Sequence, residues 1–175
     1  MRIAKIGPNQ IVTTAATGGG PGDEAGVWGV FPGGSSKGLA INTDNGDNSF
    51  IQCGTVINLD QSIRMNPFPS LPGRRHTIRV SYRAIIPGTH ATGLEVRLSA
   101  LAPDMSLGAG ADLTGIILFP APGPGDDTYH TRDIDLTAPQ IANLLPWTFN
   151  TWWNFRAGLA NTQPYNLSFA QLIIR

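Results

Sequence analysis

The 175-residue chain has one cysteine, Cys53, so it forms no intrachain disulfide and offers no cysteine-built zinc site. Charge is scarce too: Asp, Glu, Lys and Arg make up 14% of the residues, against about 25% in ordinary soluble domains. The 12 basic and 12 acidic side chains cancel to a formal net charge of +0. Such a chain exerts no sequence-wide pull on nucleic acid or anionic lipid, and neither is expected as a partner. It also repels its own copies little, which suits a protein packed against others. Lysine is confined to Lys5 and Lys37, and the remaining cations are arginines. Arginine pairs bidentately and suits interfaces better than lysine, although a GC-rich genome gives the same bias. No apolar run reaches the roughly 20 residues of a membrane span. The N-terminal MRIAKIGPNQIVTT lacks the apolar core of a signal peptide. The expectation is a soluble chain, made in a cytoplasm, with no membrane partner.

Catalytic signatures are missing as well. There is no P-loop, nucleotide-binding glycine fingerprint, HExxH or GxSxG. The glycines of 18-GGGPG-22 do not stand between a strand and a helix, so they do not cradle phosphate. His76, His90 and His130 are isolated in sequence and read as ordinary surface or packed residues. The stretch 42-NTDNGDN-48 has a calcium-loop look, but the ligand spacing is not met and no glutamate closes it. A turn at Asn45-Gly46 explains it better, with calcium at a sandwich edge left open. Asp133 and Asp135 share one strand face and could in principle serve glycoside hydrolysis. With Arg132 beside them, they read as solvated edge charges. No catalytic residue, cofactor or metal ligand is assigned.

What the chain does have is punctuation. Its 21 glycines and 14 prolines cluster into breakers such as 66-NPFPSLPG-73 and 120-PAPGPG-125. These cut the chain into short segments, the mark of an all-β protein. In 76-HTIRVSYRAII-86, Ile78, Val80, Tyr82 and Ala84 face one way, and Thr77, Arg79, Ser81 and Arg83 the other. In 93-GLEVRLSALA-102, Leu94, Val96 and Leu98 oppose Glu95, Arg97 and Ser99. This period of two predicts strands with one buried face. The short link 87-PGTHATG-93 predicts a hairpin joining them as antiparallel neighbours. Other strands are expected at Ser49–Leu59, Leu113–Phe119, Thr128–Leu136, Thr151–Leu159 and Asn166–Ile174, with short ones at Arg2–Ile6 and Ile11–Ala15. One short helix is expected in 137-TAPQIANLL-145, with Thr137 as N-cap and Pro146 as stop. Together these predict an antiparallel two-sheet β-sandwich over residues 49–175. Residues 1–48, glycine-rich and poor in bulky apolar groups, read as an extended N-terminal arm with loops, or as the first edge of the same sandwich. Trp28 and Phe31 would anchor it.

The candidate contact residues lie in 149-FNTWWNFRAGLA-160. Trp153, Phe155, Ala157 and Leu159 share an apolar face, which is the core. Trp152, Asn154 and Arg156 share the other face. An aromatic ring beside an amide and a guanidinium makes a sugar platform, and the same types make a protein interface hot spot; a third option is that the arm or the helix folds over this face and leaves Trp152 in a minor core. In 166-NLSFAQLIIR-175 alternation puts Leu167, Phe169 and Ile173 on one face and Ala170, Leu172 and Ile174 on the other, so something covers the outer face. A neighbouring subunit or the chain's own arm is the expected cover.

The C-terminal run from Thr128 to Arg175 resembles the end of small jelly-roll domains in tailed-bacteriophage virion proteins. Their pieces are a strand running into a half-helix (Leu136–Leu145), a tryptophan turn (Trp147), a strand (Trp152–Leu159) and a short closing strand (Ser168–Ile174). The usual aspartate before the turn tryptophan is Pro146 here. The resemblance covers the last quarter to third of the chain and defines no active site. It implies that the all-β sandwich of residues 49–175 is an antiparallel jelly roll, and that the chain is a non-enzymatic virion structural protein, read as a capsid decoration (cement) protein that holds neighbouring capsid subunits together. The partners it implies are the major capsid protein or other virion proteins, and further copies of itself. Two alternatives stay open: a tail, baseplate or fibre component, and a carbohydrate-binding module that holds a glycan on Trp152, Asn154 and Arg156.

Overall fold

The structure is a computed structural model that describes residues 12–15, 24–26, 28–33, 36–43, 46–53, 60–85, 93–100, 112–123, 126–157 and 165–175. Eleven strands and two helices occur among them: β1 (Val12–Ala15), β2 (Glu24–Gly26), β3 (Gly29–Phe31), α1 (Lys37–Ala40), β4 (Phe50–Gln52), β5 (Asp60–Arg64), β6 (His76–Ala84), β7 (Leu94–Ser99), β8 (Ile117–Phe119), β9 (His130–Asp135), α2 (Ala138–Leu144), β10 (Trp152–Ala157) and β11 (Tyr165–Ile174). They form two antiparallel sheets. One has the order β3-β4-β11-β6-β9, with β1 also paired to β11; the other has the order β2-β5-β10-β7-β8. Strands β4 to β11 alone give 4-11-6-9 over 5-10-7-8, the arrangement of an eight-stranded jelly roll.

The alternating segments supply the core. Ile78, Val80, Tyr82, Leu94, Val96, Leu98, Trp153 and Phe155 are all fully buried and belong to one apolar cluster. Trp153 stacks on Phe155 two residues along the same strand face, with centroids 5.9 Å apart. Gly93, at the start of β7, is there of necessity: a Cβ would sit 1.7 Å from the backbone oxygen of Phe119.

Three expectations are corrected. First, β6 and β7 are not a hairpin. β6 lies between β11 and β9, and β7 lies between β10 and β8 in the opposite sheet. Both strands turn their apolar face inward, and they share the core rather than an edge. A short link spans the roughly 10 Å between packed sheets as readily as it closes a hairpin. Arg79 and Arg83 therefore never meet Glu95 or Arg97. Arg79 pairs with Asp133 on β9 at 2.7 Å, Arg83 with Asp47 at 2.8 Å, and Arg97 with Asp112 at 3.2 Å. Second, β11 carries a bulge between Leu167 and Phe169. One extra residue reverses the parity, so Leu167 joins Ala170, Leu172 and Ile174 in the core cluster, leaving Phe169 and Ile173 outside it. Third, residue 48 is not a boundary among the described residues. β1 pairs with β11, β2 with β5 and β3 with β4, so each is an edge of the sandwich. The strand expected at Arg2–Ile6 lies outside the described residues.

α2 starts where its cap residues place it. Gln140 Oε1 accepts from the Thr137 N–H at 2.8 Å, and Gln140 Nε2 donates to the Thr114 carbonyl at 2.6 Å. One amide thus satisfies a helix-start donor and ties the helix to the turn before β8. Gln140→Ala should lower the stability of the chain by about 1–2 kcal/mol, read as a shift in urea midpoint with unchanged slope.

Candidate functional site: the outer face of the second sheet

β10 is the central strand of the five-stranded sheet, and its alternation puts Trp152, Asn154 and Arg156 on the side away from Trp153 and Phe155. Register adds the neighbours. Trp152 lies between Arg64 and Ser99, Asn154 between Ser62 and Arg97, and Arg156 between Asp60 and Glu95. The sequence therefore brought together the right three residues, and the fold surrounds them with polar groups from β5 and β7.

This face is not open. Ser62 Oγ donates to Asn154 Oδ1 at 2.8 Å, and Asn154 Nδ2 donates to Ser99 Oγ at 2.9 Å, a hydrogen-bonded row across three strands. All three side chains are buried. Trp152 is 5% exposed within the single chain, and its indole N–H reaches Asn150 Oδ1 at 3.4 Å. Arg156 is half-buried. An amide already bonded on both sides and a covered ring cannot hold a sugar, so the glycan platform expected on Trp152 and Asn154 is closed in this structure. What the arrangement does chemically is satisfy its own polar groups inside the protein.

The remaining candidates separate. Trp28 is core: it is buried, lies 6.3 Å from the Phe155 ring, and its backbone N–H donates to buried Gln61 Oε1 at 3.2 Å. It anchors its segment onto its own sandwich, not onto a neighbour. Phe31 is 48% exposed and stacks on Phe50, with ring centroids 5.1 Å apart. Of the five sequence candidates it alone stands on the surface.

The titratable clusters are structural. Asp133 and Asp135 have pKa values held below the usual carboxylate range by hydrogen bonds from Arg79 and Arg75 respectively, which leaves neither as a proton donor at neutral pH. Asp126 contacts His130 Nε2 at 2.7 Å and accepts from Thr128, a closed local set. Burial pushes the Cys53 thiol up to about 11, so it is a core group and not a nucleophile. Among the described residues no three His, Cys, Asp or Glu side chains are grouped to hold a metal ion. His90 lies outside the described residues.

His76 is fully buried, with Nδ1 2.9 Å from the Arg74 carbonyl oxygen and Nε2 without a hydrogen-bond partner among the described residues. Burial lowers its pKa below the ordinary value of about 6.5. The folded chain therefore binds this proton less readily than the unfolded chain, and stability should fall as pH drops below about 6.5. The Asp133 and Asp135 pairs act lower, losing their contribution as pH falls below about 4. The melting temperature should decline between pH 7 and 5, and His76→Leu should flatten that decline.

Sequence reasoning missed the exposed apolar side chains. Phe149 is 68% exposed, and Leu39, Ile116, Leu118 and Trp147 are also exposed. A signal was present in 116-IILF-119, where both faces of a short strand are apolar. None was present for Leu39, whose helix spans four residues.

No protein-family profile matches the chain, and no curated protein matches it. Among solved structures, it is similar at 10% identity to a family 29 carbohydrate binding module from Piromyces equi, with a TM-score of 0.47 over 93% of this chain and 90% of that one. A non-crystalline cellulose specific carbohydrate-binding module gives 10% identity and a TM-score of 0.44 over 74% and 78% of the two chains. The enzymatically active domain of tailspike protein 4 from Bacteriophage CBA120 gives 11% and 0.45 over 94% of this chain and 19% of that one. Likenesses this distant carry no argument about what the chain binds.

Proposed function

We propose that the chain is a non-enzymatic structural protein of a phage virion, a capsid decoration protein that holds neighbouring capsid subunits together. The observation that carries this reading is where apolar surface stands. Phe149, Leu39, Ile116, Leu118 and Phe31 are each about half exposed or more, on a chain whose formal charge is +0. Exposed apolar side chains on a neutral surface suit burial against other proteins. The face best suited to a glycan is instead closed by hydrogen bonds within the chain. The phage resemblance gains support from the order of elements at the C-terminal end: strand β9, helix α2, a 3-10 turn over Leu145–Trp147, then β10 and β11. Each contact can be weak, because a repeating capsid lattice multiplies it.

The reading is tested by adding the purified chain back to particles assembled without it. Saturable binding to heads, with genome release moved to higher temperature, is the expected result. Saturable binding to tails supports a tail component instead, and binding to soluble glycans but not to particles supports a carbohydrate-binding module.

A further inference from the structure

Lys37 is one of two lysines in a chain whose other cations are arginines, and it does not extend into solvent. It opens α1, half-buried, and its Nζ donates to Gln61 Oε1 at 2.9 Å and to the Gly26 carbonyl at 3.0 Å. Gln61 belongs to β5 and is wholly buried. Its Oε1 also accepts the Trp28 N–H at 3.2 Å, and its Nε2 donates to the Ser62 carbonyl at 3.0 Å. Strand register explains the meeting. Gly26 of β2 lies opposite Gln61, so no side chain of β2 stands directly across from the amide. Glu24 lies opposite Ile63 and therefore shares the inward face with Gln61, one step along it. Glu24 Oε1 accepts the Gly38 N–H at 3.0 Å, which brings its carboxylate to the first turn of α1 beside Lys37.

An amine, a carboxamide and a carboxylate held together out of water are the groups that an amide exchange needs. Burial lowers the pKa of Lys37 and so favours the free amine, the nucleophilic form; the Glu24 charge acts in the opposite sense with less effect. An arginine could not take this part, because a guanidinium keeps its proton. A nitrogen at hydrogen-bond distance from a carbonyl oxygen lies about 3–4 Å from the carbonyl carbon. That is within a few tenths of an ångström of a near-attack geometry. The Trp28 N–H already points at Oε1, the atom on which negative charge develops when Cδ becomes tetrahedral. The fold keeps the two groups in place, so even a slow reaction runs to completion.

We propose that Lys37 and Gln61 join in a self-formed isopeptide bond that staples α1 to β5. Lys37 Nζ gives one proton to the Glu24 carboxylate and attacks Gln61 Cδ with its lone pair, and the Nζ–Cδ bond forms. Glu24 passes that proton to Nε2, the Cδ–Nε2 bond breaks, and ammonia leaves. Nζ then gives its second proton, through Glu24, to the departing ammonia. An alkylammonium and a carboxamide become a secondary amide and an ammonium ion, with no oxidant, reductant or second substrate. The bond ties the segment that carries β2 and α1 to the sandwich and, like a disulfide, restricts the unfolded chain. The proposal does not depend on the virion reading.

The test is the intact mass of the full chain, followed over time after purification and then by peptide mapping. The folded chain should become lighter than its sequence by one ammonia, and a protease digest should contain a branched peptide joining Lys37 to Gln61. Lys37→Arg, which keeps a cation and a donor for Gln61, should hold the full mass. Glu24→Gln should slow the mass change at least about tenfold, because the proton carrier is lost. A folded parent chain that stays at full mass overturns the proposal. So does an ammonia loss that maps elsewhere, for example to a succinimide at Asn45-Gly46, or one that persists in Lys37→Arg or keeps its rate in Glu24→Gln. If either variant fails to fold, the mass and the branched peptide of the parent chain decide alone.

Discussion

A Leu98→Asp chain should not fold. Leu98 is fully buried, on the inner face of β7 opposite Trp153. Its backbone N–H is bonded to Thr114 Oγ1 at 3.0 Å, so the strand is held in place and cannot roll the new side chain outward. A carboxylate there meets Trp153 and the rest of the apolar cluster. Leaving it charged costs several kcal/mol, and protonating it still buries a polar group without a partner. A domain of this size is stable by only about 5–15 kcal/mol. The loss of the packed leucine adds about 2–5 kcal/mol more. Circular dichroism on heating should show no cooperative transition, and most of the protein should be insoluble. Val96→Asp should behave alike, because Val96 is equally buried opposite Phe155. A soluble Leu98→Asp protein with a cooperative melt would contradict the two-sheet core.

Replacing either adjacent tryptophan by alanine should destabilise the free chain. Trp153→Ala removes a fully buried indole that stacks on Phe155, at a cost of about 3–5 kcal/mol. Trp152→Ala should cost somewhat less, about 2–4 kcal/mol, because its ring lies over the polar face beside Asn154 and packs outside the main cluster. The sequence points to a Trp152 covered by protein, either another subunit or the chain's own arm, whose removal costs the isolated chain much less than removal of Trp153. Its 5% exposure in the single chain means that the chain itself supplies the cover, which raises the cost expected for the free protein. Urea melts of the two variants decide between them. A Trp152→Ala chain as stable as the parent would return Trp152 to the surface.

The fold was largely legible because β6, β7 and β10 alternate cleanly, and one buried face fixes which side chains enter the core. Thr137 as N-cap and Pro146 as stop announced α2 in the same way. Pairing partners were not legible. Alternation says which face is buried, not which strand lies alongside, so the short link after β6 passed for a hairpin. The β11 bulge was invisible because Ser168 fits either face by polarity, while one inserted residue reverses every assignment before it. β5 was missed because 60-DQSIR-64 buries Gln61 and Ser62 along with Ile63, and polar residues in a strand give no period. At the candidate site, alternation placed Trp152, Asn154 and Arg156 on one face correctly. That the face is closed depends on Ser62 and Ser99, two residues with no local signal, brought alongside Asn154 by strands 55 residues and more distant in sequence.

The central claim, a structural role on the virion head, meets its most direct test in the location and copy number of the chain in purified particles. Quantitative mass spectrometry of particles, with labelled antibody seen by electron microscopy, gives both. The account predicts copies in the hundreds, spread over the head in a fixed ratio to the major capsid protein. A handful of copies at one vertex or along the tail would contradict the decoration reading, and absence from purified particles would contradict a virion role altogether.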